Sequence, residues 1–199
     1  MPPYFSWGDM INSVSKNGPP GDLAIWIFIL AEMSVFGVLF AVYAFDRSHQ
    51  VELFNLSQAT LNRASGFINT LILLTSSYFV VRAVSAIKRD DSSACAKWLI
   101  GGMLLGLLFM TVKSFEYYEE FSAGISMDTN DFYMFYIALT FFHFLHVLMG
   151  LIIFGFILLK VIRGGYSSSD HHGVETGASF WHMVDLLWII LFPLIYVMH

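Results

Sequence analysis

The chain has 199 residues, 57% of them hydrophobic and 13% charged, with a mean hydropathy of +0.66. Soluble domains carry about 25% charged residues, so an ordinary water-soluble domain is excluded and a membrane protein is indicated. The net charge of −5 argues against a basic nucleic-acid surface, and the single cysteine, Cys95, excludes an internal disulfide or a thiolate metal cluster.

Taken in chain order, residues 1–23 hold Pro2, Pro3, Pro19 and Pro20 among polar side chains and lack the apolar core of a cleavable signal peptide. They read as a polar tail. A spanning helix needs about 20 mostly apolar residues. Five runs qualify, over residues 24–44, 66–87, 97–117, 132–161 and 178–198. None alternates as a barrel strand does, and an open strand leaves its backbone unsatisfied in lipid. The expected fold is therefore all-α, a polytopic bundle of five transmembrane helices.

The first run contains Glu32. The polar stretch DRSHQVELFNLSQATLNRAS follows it, and RDDSSACA follows the second run. In the third run Gly101, Gly102 and Gly106 read as close-packing positions for a neighbouring helix. Lys113 and Glu116 lie three residues apart near its end, and read most simply as local charge neutralisation in an interfacial turn. A charged contact to a partner subunit is the other reading. The fourth run carries His143 and His146, and would be about 45 Å long as a straight helix. The loop RGGYSSSDHHGVETG leads to the fifth run, which carries His182 and Asp185. Trp98, Tyr117, Tyr118, Trp181 and Tyr196 sit near run ends and read as aromatic anchors at the membrane surface.

Orientation follows from the basic residues. Lys16, Arg82, Lys88, Arg89, Lys97, Lys160 and Arg163 fall on the N-terminal side of the bundle, whereas the third-to-fourth loop is acidic. The N-terminus is expected in the cytoplasm and the C-terminus outside.

An ionisable residue inside a span costs about 3 kcal/mol on insertion scales and usually turns inward to a partner. Helical rise places Glu32, His146 and Asp185 near one layer of the bundle. His143 and His146 share a helix face, as do His182 and Asp185. Three readings compete: a structural hydrogen-bond network, a site for lipid head groups or protons, and a metal or haem site. A di-iron bundle favours paired Glu-x-x-His motifs. The sequence has His-x-x-His once and His-x-x-Asp once, so no metal is expected in this chain.

These residues carry a resemblance. The segments FILAEMSVFGVLFAVYA, INTLILLTSS, KSFEYYEEF, FHFLHVLMGL and HHGVETGASFWHMVDLLWIILFPLIY resemble subunit III of the haem–copper respiratory oxidases, in order and spacing. Glu32 matches that family's buried glutamate. Glu116, Tyr117 and Tyr118 match its Glu-Tyr-Tyr, and His143 and His146 its His-x-x-His. His172, Glu175, His182, Asp185 and Trp188 match its last motif. The resemblance implies a non-catalytic subunit without haem or copper, packed beside the catalytic subunit I in a bacterial cytoplasmic membrane. It implies support of proton uptake and of active-site durability, with Glu32, His143, His146, His182 and Asp185 as the buried polar network. Phospholipid is an implied ligand, although the lipid cleft of seven-helix members forms partly from two helices that precede the matched five. The segment PGDLAIWIFILAEMSVFG is also similar to accessory proteins of nitric-oxide reductases, which leaves that branch as an alternative.

Overall fold

The computed structural model describes residues 23–198. The tail expected over residues 1–23 lies outside them, Leu23 excepted. Every regular element among the described residues is helical. In order they are α1 (Leu23–His49), α2 (Val51–Ala59), α3 (Arg63–Ile87), α4 (Ser92–Ser122), α5 (Asp131–Ile162) and α6 (His172–Phe192), followed by a π-helical turn at Pro193–Val197. Five of these helices, all but α2, are long and apolar enough to cross a membrane.

The polar loops supply the helix starts. Asn62 accepts a hydrogen bond from the Ser65 amide (3.1 Å), Asp91 from Ala94 (2.8 Å) and Asn130 from Tyr133 (3.0 Å). Each side chain thereby satisfies one of the amides that a first helical turn leaves free. At the other end of α5, Gly164 takes φ +71°, a left-handed conformation that suits glycine as a helix stop.

The observed helices outrun the expected spans. α4 begins at Ser92 and runs to Ser122, and α6 begins at His172. The extra turns are polar, so the hydropathy pattern misses them. The stretch expected as a plain connection after α1 contains α2, a nine-residue helix. It tucks Phe54, fully buried, edge-on to Tyr43 and Phe132 at ring-centre distances of 5.4 and 5.7 Å.

α6 occupies the middle of the bundle, against α1, α3 and α5. Its Trp181 is fully buried against Phe154, ring centres 5.1 Å apart. Gly106 on α4 and Gly150 on α5 make room for it. A Cβ at either position would sit 2.8 or 2.7 Å from the indole, too close for a side chain. Small residues that admit a large neighbour are the usual device of helix packing in lipid, where burial of apolar surface gives no drive. Trp181 is thus an interior packing residue and not the surface anchor its position suggested. Tyr196 is likewise fully buried, whereas Tyr118 is 70% exposed.

Pro193 ends α6 because it has no amide hydrogen to donate back along the helix. The π turn that follows rotates Tyr196 into the bundle. It also offers carbonyls to α1: Tyr43 donates to Leu194 O (3.2 Å) and Arg47 to Met198 O (2.7 Å).

Candidate functional site: three buried polar groups

Most ionisable residues of the spans fall into three separate hydrogen-bonded clusters. The first joins α1 to α5. Glu32 Oε2 lies 3.1 Å from His146 Nε2. His146 Nδ1 lies 2.8 Å from the Phe142 carbonyl oxygen, which only accepts, so Nδ1 carries a hydrogen. The Nε2–Oε2 contact is the polar link between α1 and α5. Phe36 packs edge-on to the His146 ring at 5.4 Å and shields the contact.

The second cluster joins α3 to α6. Ser77 donates to Asp185 Oδ2 through a very short hydrogen bond. Its one hydrogen is then committed, so His182 Nδ1, 2.6 Å away, donates to the Ser77 oxygen. The order His182–Ser77–Asp185 fixes the imidazole tautomer. The direct His182–Asp185 distance is 3.4 Å, longer than either leg through the serine. Asp185 was expected to pair with His182 or to reach Glu32 or His146; it bonds Ser77, with His182 as a longer contact, and not Glu32 or His146. His182 is 40% exposed and opens on a groove of about 360 Å³ lined by Lys88, Ser85, Glu175 and Ser179. At the groove's rim Glu175 accepts from Lys88 (2.7 Å) and lies 3.4 Å from His171. His172 is exposed and stacks on the His171 ring.

The third cluster is the largest. Lys113, expected at an interfacial turn, is fully buried, and Glu116 is 5% exposed. Lys113 Nζ lies 2.9 Å from Tyr136 Oη, 2.7 Å from Tyr196 Oη and 3.2 Å from Glu116 Oε1. Tyr196 Oη is 2.5 Å from Glu116 Oε1, and Tyr136 Oη is 2.9 Å from the same oxygen and 2.7 Å from Glu120 Oε1. Ser65 donates to Glu116 Oε2 at 3.2 Å. Lys113 also stands 4.6 Å from the centre of the Tyr136 ring, a desolvated cation–π contact. Surface charge neutralisation does not describe this arrangement. Three elements, α4, α5 and the π turn, meet at one buried ammonium, and α3 joins them through Ser65 and Glu116.

Two expected members stand apart. His143 is fully buried, but neither ring nitrogen has a hydrogen-bonding partner among the described residues. Its ring packs between Phe109 (5.7 Å) and Trp188 (5.1 Å). Trp188 is itself fixed by its indole N–H donating to Thr70 Oγ1 at 3.0 Å. Tyr117 lies with its ring centre 4.9 Å from Lys113 Nζ, and its hydroxyl is directed elsewhere, donating to Thr140 (2.8 Å).

Sequence reasoning missed Ser77, Tyr136 and Glu120. A signal for Glu120 was present: Lys113, Glu116 and Glu120 recur at i, i+3 and i+7, one helix face. Ser77 and Tyr136 gave none, since a serine and a tyrosine in an apolar run are ordinary. Among the described residues no three His, Cys, Asp or Glu side chains converge as a metal site would require.

The fold and its clusters define a multi-pass helical membrane protein whose polar groups are matched across helices. Residues 20–199 match the family described as cytochrome c oxidase subunit III, and the chain belongs to that family. It is 34% identical over 186 residues to a cytochrome c oxidase subunit 3 of Thermostichus vulcanus, covering 88% of this chain and 86% of that protein. It is 28% identical to a cytochrome bo(3) ubiquinol oxidase subunit 3 of Buchnera aphidicola, covering 87% of this chain and 84% of the relative. A haem–copper oxidase subunit I+III of Aeropyrum pernix is 32% identical over 184 residues, 87% of this chain but only 22% of that protein's length. None of these names favours the nitric-oxide-reductase branch.

Proposed function

We propose that this chain is the non-catalytic subunit III of a respiratory haem–copper terminal oxidase, in which oxygen reduction coupled to proton translocation takes place on partner subunits. The observation that carries the reading is the family match across residues 20–199. The joint name of the Aeropyrum relative supports a place beside subunit I. The haem and copper belong to the partners in this reading.

Within the complex, the chain supports proton uptake and prolongs the active lifetime of the catalytic site. The His182–Ser77–Asp185 chain supports this role chemically. It begins at a half-exposed imidazole in a groove with Lys88 and Glu175, and ends at a buried carboxylate. The basic residues around Lys88 and Arg89 support a cytoplasmic position for that groove, in a bacterial inner membrane with the C-terminus outside. Phospholipid is the ligand this reading implies, and the open apolar face of α1 supports it.

The test is purification of the native complex with and without this chain. A haem–copper catalytic subunit co-purifies with it. The complex lacking it keeps its haems and initial turnover, but takes up protons more slowly or loses activity sooner during turnover. Immediate and complete loss of turnover in a fully haem-loaded complex counts against a supporting role.

A further inference from the structure

The Lys113 cluster contains more hydrogen-bonding contacts than its phenols alone can fill. Three oxygen–oxygen contacts join Tyr136 and Tyr196 to Glu116 and Glu120, at 2.5 to 2.9 Å. Two phenols supply two hydrogens. The three hydrogens of the Lys113 ammonium are directed at Tyr136, Tyr196 and Glu116, so none is left for the third contact. A carboxyl group must supply it.

Charge leads to the same count. One ammonium and two ionised carboxylates leave a net negative charge, which is costly at a site removed from water. One added proton makes the cluster neutral. The surroundings decide which carboxyl holds it. Glu116 faces donors from Lys113, Tyr196, Tyr136 and Ser65, the environment of a carboxylate. Glu120 faces only Tyr136 through Oε1, and its Oε2 is buried without a partner. A carboxylic acid tolerates that better than a carboxylate does.

We propose that Glu120 holds an exchangeable proton, in a buried proton-binding site made by Glu120, Tyr136 and Glu116. Glu120 donates to Tyr136, and Tyr136 donates to Glu116. Tyr196 makes the second donation to Glu116, and Lys113 donates to both phenols. Every hydrogen is then used once and no contact is repulsive.

The same chain is a relay. The Glu120 hydrogen passes to the Tyr136 oxygen as the Tyr136 hydrogen passes to Glu116. Glu120 becomes the carboxylate and Glu116 the acid, with no change in total charge. Glu116 lines a groove of about 220 Å³ with Asn62, Ser65 and Glu119, where water can take the proton. Loss to water leaves the cluster one negative charge richer, and one of the two Tyr136–carboxylate contacts without a hydrogen. Because the groups are this closely coupled, the proton belongs to the unit. Among the neighbouring titratable groups, Glu119 lies on the exposed side of α4, and Tyr117 is committed to Thr140. The inference stands on the geometry of this chain and does not depend on the assignment to an oxidase.

Infrared pH-difference spectroscopy of the full chain in detergent tests it. At neutral pH the carbonyl band of one protonated carboxylic acid per chain is expected from this site, disappearing as pH rises. Glu120→Gln, which copies the shape of the acid, removes the band, Glu119→Gln leaves it, and Tyr136→Phe shifts its frequency. Circular dichroism checks that each variant is folded. A spectrum in which Glu120→Gln removes no acid band, or in which only Glu116→Gln removes one, overturns the proposal.

Discussion

α1 and α6 are both long apolar helices with a carboxylate inside the span, Glu32 and Asp185, yet the bundle holds them differently. The most apolar stretch of α6 is 56% buried, that of α1 only 6%. α6 is fixed by a tryptophan slotted between two glycines, by the Ser77 contacts, and by a π turn that delivers Tyr196 to Lys113. α1 touches the bundle through fewer groups: the buried rings of Phe36 and Tyr43, Glu32–His146 in its middle, and the Tyr43 and Arg47 hydrogen bonds near its end. The outer face of α1, with Ile27, Leu30, Val38 and Phe45 all more than 60% exposed, is left to lipid or a neighbouring subunit. Polar contacts in a membrane are thus of two kinds here. Those of α6 add to extensive packing, and those of α1 to a few buried rings.

The sharpest way to break this difference is at Lys113. Lys113→Leu removes the cation that binds Tyr196 behind α6 and strands the buried Glu116. Removing one member of a buried ion pair costs about 3–5 kcal/mol, because the other charge stays behind. We expect a loss of that order in unfolding experiments in detergent, with the end of α6 released first. Adding Glu116→Gln should restore part of the loss, since the stranded charge goes as well. Stability equal to the unaltered protein would show that the cluster carries no net load.

The carboxylates of the two helices give a direct comparison. Asp185→Leu leaves Ser77 and His182 short of an acceptor inside the bundle, a cost of about 1–3 kcal/mol. Glu32→Leu breaks one interhelical hydrogen bond at a carboxylate that is 22% exposed, and such bonds average about 0.6 kcal/mol in membranes. Glu32→Gln keeps the size and a hydrogen bond and should be nearly neutral. Thermal scans in detergent order the three. If Glu32→Leu costs as much as Asp185→Leu, α1 is held as firmly as α6.

How much of this was legible in the sequence follows from the same distinction. The five spans were, since hydrocarbon thickness and hydropathy fix them. Helical rise put Glu32 and His146 within reach of each other, but it put Asp185 at the same level and so did not single out the pair. Asp185 could not be assigned to Ser77, for a serine leaves no mark in a hydropathy pattern, and which face of α3 meets α6 depends on packing. Lys113 read as interfacial because it lies near the end of its apolar run. Its burial depends on α4 continuing to Ser122 and on Pro193 turning Tyr196 inward, neither of which hydropathy encodes. His143 gave the opposite error. Its place beside His146 suggested a shared network, but one helical turn points it at Phe109 and Trp188.

The smallest expected effect lies outside the membrane, at a tie on the loop that leads into α6. Asp90, after α3, takes φ 59°, a left-handed conformation that aspartate tolerates better than most residues. It accepts from the Ser168 hydroxyl and from the Ser168 amide, both at 2.5 Å, and so clasps the loop that leads into α6. These two hydrogen bonds, the hydroxyl's first, hold the Asp90 carboxyl below its ordinary value of 3.8. The folded state therefore favours the ionised form. The stabilisation is present above that ordinary value and is lost as pH falls through the lowered folded value. Ser168→Ala removes the hydroxyl and keeps the amide, so the Asp90 titration, followed by carboxyl-carbon NMR in detergent, should move upward but stop short of the ordinary value. At neutral pH the melting temperature should hardly change, because an exposed carboxylate is well solvated with or without its clasp. A titration unmoved by the substitution would mean that the loop into α6 is open in solution, and that α6 owes its position to its interior contacts alone.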